Sequence, residues 1–406
     1  MSGIIIIGAG QAAATFAAKF RQLDAETPVT IYGDEPVIPY QRPPLSKKYA
    51  TDEMEKTQLY LRPESWYADQ NISLHTGTSV LSIDPDNKVV NLSDGQTASW
   101  SKLMIATGSR VRELPASVTN DLSGICYVRT LADADAFGQK LDNAKNVLIV
   151  GGGYIGLEAA AVCAAKGLKV TLVEASERIL QRVACKETSD WFRALHQQEG
   201  VVIREGVGLS HFDGQNGAVT RAVLSDGSEI TTDLAVVGIG ILPNLEIAKA
   251  CGLTTDNGIV VNSVCQTSNP DIYAAGDCAV TDYKGLPTRL ESVPNAIDQA
   301  NVAATHAASG AAEGYTAKPW FWSDQYDVKL QIAGLNTGYD KIVTRGSAPN
   351  VSFWYYQGDT LLAVDAMNDP RGYMIGKRLI EAGKSPDPAV IADPQSDLKA
   401  LLKAPD

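Results

Sequence analysis

Cysteine is sparse in this 406-residue chain, and what there is lies scattered: Cys126, Cys163, Cys185, Cys251, Cys265 and Cys278, with neither a CxxC nor a CxxxxC spacing. That pattern excludes a disulfide framework and a local thiol redox pair, and it fits reduced thiols in a cytoplasmic protein. No metal site is expected. Positive charge is also short. Lys and Arg number 35 against 47 Asp and Glu, a net charge of −12 with pI near 4.9. Nucleic-acid phosphates need a basic surface, so nucleic acid is not an expected partner. No apolar stretch approaches the ~20 residues of a membrane span. The run Ile4-Ile5-Ile6-Ile7 has no cationic region before it and reads as a strand, not a signal peptide. With 45% hydrophobic residues the chain has ample material for the cores of two or three domains.

Glycine is where the sequence becomes specific. Gly8-Ala9-Gly10-Gln11-Ala12-Ala13 and Gly151-Gly152-Gly153-Tyr154-Ile155-Gly156 each follow an apolar run, Ile4–Ile7 and Val147–Val150, and each opens a helical pattern. In that context glycines let a pyrophosphate meet a helix N-terminus. Gly8 permits the tight turn, Gly10 lets the backbone approach phosphate, and Ala13 replaces the third glycine at the helix–strand contact. The first unit continues through a helix, Gln11 to Leu23, into the strand Val29–Tyr32. The second repeats it with a helix from about Ile155 to Lys166 and a strand ending at Glu174. Two such units in one chain argue for two dinucleotides side by side, and hence for electrons passing from one to the other.

Other residues carry their own logic. Asp34 and Glu35 follow the second strand, where a carboxylate accepts from ribose hydroxyls, although solvated loop charges explain either equally well. Asp277 ends a buried strand just after Gly276, placed to bind a polyol chain or, alternatively, to cap the next segment. Ser292-Val293-Pro294-Asn295 begins a helical pattern ending near Ser309, with proline in its first turn. From Trp320 the pattern changes to alternating aromatic and aliphatic runs. Val351–Tyr356 and Thr360–Ala366 form an expected hairpin. The expected fold is α/β: two Rossmann-like dinucleotide-binding domains plus a smaller α+β C-terminal domain. The expected domains are 1–113 with 243–319, interrupted by 114–242, and then 320–406.

The combination of the first fingerprint with Ala106-Thr107-Gly108, GGGYIG and Ala275-Gly276-Asp277 resembles the two-dinucleotide-binding flavoproteins of the glutathione-reductase superfamily. Three further motifs resemble the putidaredoxin reductase-like ferredoxin reductases within it: Pro43-Pro44-Leu45-Ser46-Lys47, Glu291-Ser292-Val293-Pro294-Asn295-Ala296 and Trp320-Phe321-Trp322-Ser323-Asp324-Gln325-Tyr326. The likeness covers essentially the whole chain. It implies FAD in the 1–113/243–319 domain, NADH in the 114–242 domain, and a C-terminal interface domain. By matching position it implies FAD contacts at Ala12, Asp34, Arg42, Lys47, Val80, Arg129, Asp277 and Val293. Gly151, Gly153 and Gly156 then serve the nicotinamide dinucleotide. Glu174 would accept from its adenosine 2′-hydroxyl and repel a 2′-phosphate, which favours NADH. Arg178 and Arg182 lie nearby in sequence and leave phosphate binding open. If the helix starting near Ser292 faces the flavin, its dipole stabilises the charge of the reduced ring.

The resemblance also implies a lysine beside the flavin's reactive nitrogen paired with a glutamate on the helix after the second fingerprint. The matching residues are Lys47 and Glu158, either electronically active or a plain salt bridge. Disulfide reductases of the superfamily carry a CxxxxC near the flavin, and peroxidase or oxidase relatives a lone cysteine. The stretch from Tyr40 to Tyr49 has none. Electrons must then leave through the flavin itself, with Trp322 a candidate relay. The expected enzyme is an FAD-containing NADH:ferredoxin oxidoreductase whose 2Fe-2S ferredoxin partner serves a haem-thiolate monooxygenase or a ring-hydroxylating oxygenase. An NADH oxidase, a rubredoxin or small-acceptor reductase, and a non-catalytic NADH-binding redox sensor remain open. Candidate ferredoxin-docking cations are Arg289, Lys329, Lys341 and Arg345, with Arg62 a further candidate.

Overall fold

Strand β1 (Gly3–Ile7), helix α1 (Gln11–Leu23) and strand β2 (Val29–Tyr32) form the first strand–helix–strand unit of the computed structural model, which describes residues 2–403. The outermost expected domain limits, 1 and 406, lie outside the described residues. Every residue of β1 is buried. An unbroken apolar run suits a central parallel strand covered on both faces. Helix α1 turns Ala13, Phe16, Ala17 and Phe20 into a core shared with Ala296, Ala300, Ala303 and Ala307 of the long helix Val293–Ser309. Alanines on both sides let the two backbones come close.

Contact density divides the chain into two compact units: Met1–Gln41, Glu55–Arg110 and Ile241–Ala317 in one, Arg42–Met54, Val111–Gly240 and Lys318–Asp406 in the other. In the first, the sheet runs Ile72–His75, β2, β1, β3 (Thr97–Ile105), Val89–Leu92 and Val80–Asp84, with Ile272–Ala274 also paired to β3. The early residues of β3 pair antiparallel with Val89–Leu92. Its last residues pair in parallel with β1 and Ile272–Ala274.

The second unit repeats the motif as β4 (Asn146–Val150), α2 (Tyr154–Ala165) and β5 (Lys169–Glu174). Its parallel sheet runs Val202–Glu205, β5, β4, β6 (Leu234–Val237), Ile125–Cys126, with α3 (Lys186–Gln198) between β5 and Val202–Glu205 in the chain. Helix α2 is buried without interruption from Gly156 to Cys163. A helix apolar all round must be covered all round, and α2 packs against the sheet and against β7 (Trp320–Gln325). β7 edges an antiparallel sheet with Val328–Gly334, Thr360–Met367, Asn350–Gln357 and Lys341–Ser347. Together with the helix Pro370–Glu381 this is the expected α+β tail, and the α/β class with two Rossmann-like sheets is the fold observed. Where the sequence divides into three, the tail and the Pro-rich segment Arg42–Met54 cluster with the second fingerprint. Among the described residues no helix is long and apolar enough to cross a membrane.

Candidate functional site

The two fingerprints are built alike. Gly8 has φ +101° and Gly151 φ +105°; a Cβ would fall 2.3 Å from the Ala106 carbonyl oxygen at the first and 2.4 Å from that of Gly238 at the second. Only glycine fits either position. Gly156 lies so close to Gly151 that a Cβ would sit 2.0 Å from its carbonyl oxygen, and Ala13 at the equivalent place is fully buried. Gly10 and Gly153, by contrast, face open space: apart from their own chain neighbours, no heavy atom of the described residues comes within 4 Å of a built Cβ. Each is the N-cap of its helix, extended and without a side-chain cap. The helix Val293–Ser309 differs, since Ser292 caps it by accepting from the Asn295 amide. Two uncapped helix starts opening onto free space, with first-turn amides lacking intrahelical partners, fit the pyrophosphates of two dinucleotides.

The carboxylates beyond the second strands are not equivalent. Ile7 pairs with Tyr32 and Val150 with Val173, so by register Glu174 stands where the first unit has Gly33. A side chain at Gly33 would meet the Ala9 Cβ at 2.5 Å. The acidic residues of the first site therefore come later, as exposed Asp34 and half-buried Glu35, which accepts the Tyr40 hydroxyl at 2.7 Å. In the second site Glu174 Oε2 accepts the Gly152 amide and Oε1 the Ser176 amide, both at 2.7 Å. Arg178 is turned away as a phosphate ligand: its guanidinium donates to the carbonyls of Ala184 and Cys185 and to Ser189. Arg182 is exposed.

Asp277 follows Gly276, whose φ is +82° and whose amide donates to Gln299 Oε1 at 2.9 Å. Asp277 Oδ2 accepts from the Ser109 hydroxyl at 2.8 Å, a partner the sequence reading missed. Val293 opens its helix half-buried, and Val80 is buried in the cluster that holds Ile7 and Tyr32.

In the second unit Lys47 Nζ lies 3.0 Å from Glu158 Oε1, with the lysine side chain 15% exposed and the glutamate 2%. Pro43–Ser46 forms a single 3-10 turn that closes at Lys47. Tyr49 fastens the segment by donating to Asp135 Oδ1 at 2.5 Å. Ser46 donates to Glu158 Oε2 at 2.7 Å and Ser323 to Oε1 at 2.6 Å. Both serines sit inside the motifs that named Lys47 and Trp322, which was the available signal for them. Burial pushes the Glu158 carboxyl up, against the Lys47 charge and the hydroxyl donors, which pull it down. Arg42 Nη1 donates to the Arg129 carbonyl at 2.6 Å, so these two candidates are neighbours. Trp322 is half-buried on β7 and packs tilted against Trp320, with ring centroids 5.6 Å apart. All six cysteines are free thiols. Burial lifts Cys163 and Cys265 to about 12 and Cys185 to about 11, far from thiolate chemistry.

Two docking candidates are corrected. The Arg289 side chain is only 9% exposed; it pairs with Glu291 at 2.6 Å and donates to the Asp277 carbonyl at 3.1 Å. Arg345 donates to the carbonyls of Ile391, Asp393, Pro394 and Ser396, anchoring the tail's last turns. Each is a cation satisfying buried or local acceptors and not a free surface charge. Lys329, Lys341 and Arg62 are exposed, the last stacked over Trp66.

A family model described as pyridine nucleotide-disulphide oxidoreductase matches residues 2–300, and one described as reductase C-terminal matches 320–402. The chain is 42% identical to a ferredoxin–NAD(P)(+) reductase of Sphingomonas sp, over 98% of this chain and 97% of that one. It is 39% identical to putidaredoxin reductase of Pseudomonas putida, over 99% of this chain and 97% of that one. Among solved structures, the covalent putidaredoxin reductase–putidaredoxin complex superposes with a TM-score of 0.95 at 39% identity, covering 99% of this chain and 98% of that one. With two dinucleotide loops, a buried Lys–Glu pair and a reductase tail in one chain, this protein belongs to the pyridine nucleotide-disulphide oxidoreductase family, among its ferredoxin reductases.

Proposed function

We propose that this chain oxidises NADH and reduces a 2Fe-2S ferredoxin, which in turn serves a haem-thiolate monooxygenase or a ring-hydroxylating oxygenase in the cytoplasm. The observation that carries the reading is the Lys47–Glu158 pair in a chain that has two dinucleotide loops and no cysteine in the stretch from Tyr40 to Tyr49. Bound FAD supplies the chemistry of taking a hydride from NADH and releasing electrons one at a time. The protein's own part is binding, orientation and charge.

Gly8, Gly10, Ala12 and Ala13 would receive the FAD pyrophosphate at the start of α1, with Asp34 near its ribose, Asp277 on the ribityl chain, and Val80 and Val293 along the flavin. Arg42, Lys47 and Arg129 are assigned to FAD on the family resemblance. Gly151, Gly153 and Gly156 would receive NADH at the start of α2. Glu174, held by two backbone amides, presents its remaining lone pairs to the adenosine ribose. By the same resemblance Lys47, held by Glu158, would supply an ammonium to balance the negative charge that develops on flavin reduction. Trp322 is assigned as an electron relay. The domain limits 1–113 with 243–319, 114–242, and 320–406 follow from the same reading.

The test is NADH-driven cytochrome reduction with purified FAD-loaded protein and a 2Fe-2S ferredoxin. Strong dependence on ferredoxin is expected. Oxygen consumption as fast without ferredoxin as with it would assign the chain to the oxidases, and slow turnover with every acceptor would assign it to the sensors.

A further inference from the structure

A line of buried polar side chains leads away from Glu158 through the second unit. Ser323 Oγ lies 2.6 Å from Glu158 Oε1, and Gln325 Nε2 lies 3.2 Å from Ser323 Oγ. His196 Nε2 lies 2.8 Å from Gln325 Oε1, and the Tyr326 hydroxyl lies 3.1 Å from His196 Nδ1. Glu158, Ser323, Gln325 and His196 are all at most 2% exposed. Their order follows from β7. Strand alternation puts Ser323 and Gln325 on the face that meets α2 and α3, and sends Trp320 and Trp322 together to the other.

The direction of every bond is set from one end. An ionised carboxylate only accepts, so the single hydroxyl proton of Ser323 must go to Glu158. Ser323 Oγ then accepts from the Gln325 amide nitrogen. The Gln325 carbonyl thereby faces His196, so the ring must carry its proton on Nε2. In the neutral ring Nδ1 is then an acceptor, and it takes the Tyr326 hydroxyl proton. Burial pushes the His196 ring down, which keeps it neutral. Four dipoles aligned head to tail thus end on the Glu158 carboxylate, and aligned bonds polarise one another.

We infer that Ser323, Gln325 and His196 are positioning residues, a one-way hydrogen-bond chain that holds the Glu158 carboxylate ionised and aimed at Lys47. The inference rests on the reading of Lys47 and Glu158 as the flavin-side pair. The ionisable groups facing the chain are Glu158 and Cys163 on α2, His196 on α3 with Glu199 at its end, Lys47, and Tyr326. Glu199 and Cys163 act on Tyr326, whose hydroxyl burial pushes well up. None of these supplies a second cation to Glu158, so the hydroxyl donors carry what Lys47 does not.

The experiment is infrared titration of the Glu158 carboxyl in FAD-loaded protein, its band identified by disappearance in Glu158→Gln. Ser323→Ala removes a donor without adding bulk, and the titration midpoint should rise by about one unit or more. Nitrogen NMR of His196 should show the Nε2–H form in the parent protein and a mixture in Ser323→Ala, where the freed Gln325 amide turns. An unmoved midpoint, or an unchanged tautomer, overturns the chain. Gln325→Glu adds a functional readout. A protonated glutamate accepts from His196 and donates to Ser323 as glutamine does, whereas an ionised one cannot donate. Flavin reduction by NADH should acquire an extra ionisation in Gln325→Glu, with the faster form at low pH, that neither the parent nor Gln325→Leu shows. A residue there only for packing gives Gln325→Glu no new ionisation. If the midpoint shifts while flavin reduction keeps its rate in every variant, the chain stands and the flavin-side reading of Lys47 fails.

Discussion

Glu174 Oε2 accepts the Gly152 amide proton at 2.7 Å, so the residue that would read the ribose also braces the loop that would hold the pyrophosphate. One carboxylate would then join binding and recognition. Glu174→Gln keeps one acceptor for Gly152 and removes the charge; Glu174→Ala removes both. The preference for NADH over NADPH in stopped-flow flavin reduction should narrow tenfold or more in each, since a ribose contact of this kind is worth at least ~1.4 kcal/mol. Only Glu174→Ala should also lose affinity for NADH broadly. Neither should prefer NADPH, because Arg178 stays bound to Ala184, Cys185 and Ser189. A variant that strongly prefers NADPH would contradict the geometry.

Lys47 and Glu158 form a buried pair in which losing one partner strands the other. Lys47→Met leaves a 2%-exposed carboxyl whose burial already disfavours its charge. Breaking such a pair costs about 3–5 kcal/mol, whereas replacing both partners is far milder. Lys47→Met/Glu158→Gln should therefore recover most of the stability lost in Lys47→Met, as read by thermal melts. It should not recover the rate of flavin reduction by NADH if the ammonium serves the chemistry. Recovery of both would reduce the pair to a structural salt bridge.

Much of the fold was legible because its signals are local. The isoleucine run gave β1 one residue short, as Ile4–Ile7 against Gly3–Ile7, and the glycine turn and alanine-rich helix gave α1 and β2 at the bounds observed, Gln11–Leu23 and Val29–Tyr32. The antiparallel half of β3 with its partners Val80–Asp84 and Val89–Leu92 was not read, nor was the meander Leu209–Gln215, Ala218–Leu224 and Glu229–Thr231. These are amphipathic strands whose polar faces look like loop. In the site, glycine identity betrays backbone need, so the fingerprints were visible. Ser109, Ser46 and Ser323 were not singled out as partners of Asp277 and Glu158, because a hydroxyl's role depends on what tertiary structure brings to it. Arg289 and Arg345 misled for the same reason: charge is plain in a sequence, but its burial is not.

Asp365 gives a stability prediction outside the site. It is 1% exposed, accepts from Thr188 at 2.7 Å and from the Tyr355 hydroxyl, and burial lifts its carboxyl from 3.8 to about 6. The folded protein thus holds this proton more tightly than the unfolded chain does. The stabilisation is fully present below about pH 3.8 and is lost as pH rises through about 6. A shift of this size is of order 3 kcal/mol. Both hydroxyls donate to Asp365 Oδ2, so Asp365→Asn with its amide oxygen at that position still accepts from both and carries no charge. Between pH 4 and pH 7 its unfolding free energy, from denaturant titration, should gain on the parent's by about that amount. Parallel curves across that range would mean the carboxyl does not titrate there.

Docking is the prediction most changed by the structure. The chain carries −12 overall, so an acidic ferredoxin would have to dock on local positive charge against an unfavourable background. Arg289 and Arg345 are excluded as free cations by their partners. Arg289→Glu should loosen flavin retention, since it disturbs the Asp277 backbone, and Arg345→Ala should lower the melting temperature by freeing the last turns of the tail. Lys329, Lys341 and Arg62 remain, the two lysines exposed on the antiparallel sheet of the second unit and Arg62 exposed in the first unit over Trp66. Lys329→Glu and Lys341→Glu should each raise the Michaelis constant for ferredoxin several-fold and leave NADH:ferricyanide turnover intact. They should also flatten the salt dependence of ferredoxin turnover up to ~0.1 M, where the Debye length falls to ~10 Å. Steering by surface charge acts on encounter, so the effect should appear in the second-order rate of cytochrome reduction and fade at high salt. An equal loss of ferricyanide turnover would place the damage in the fold or the flavin site, and an unchanged ferredoxin constant in both variants would remove the two lysines from the docking surface.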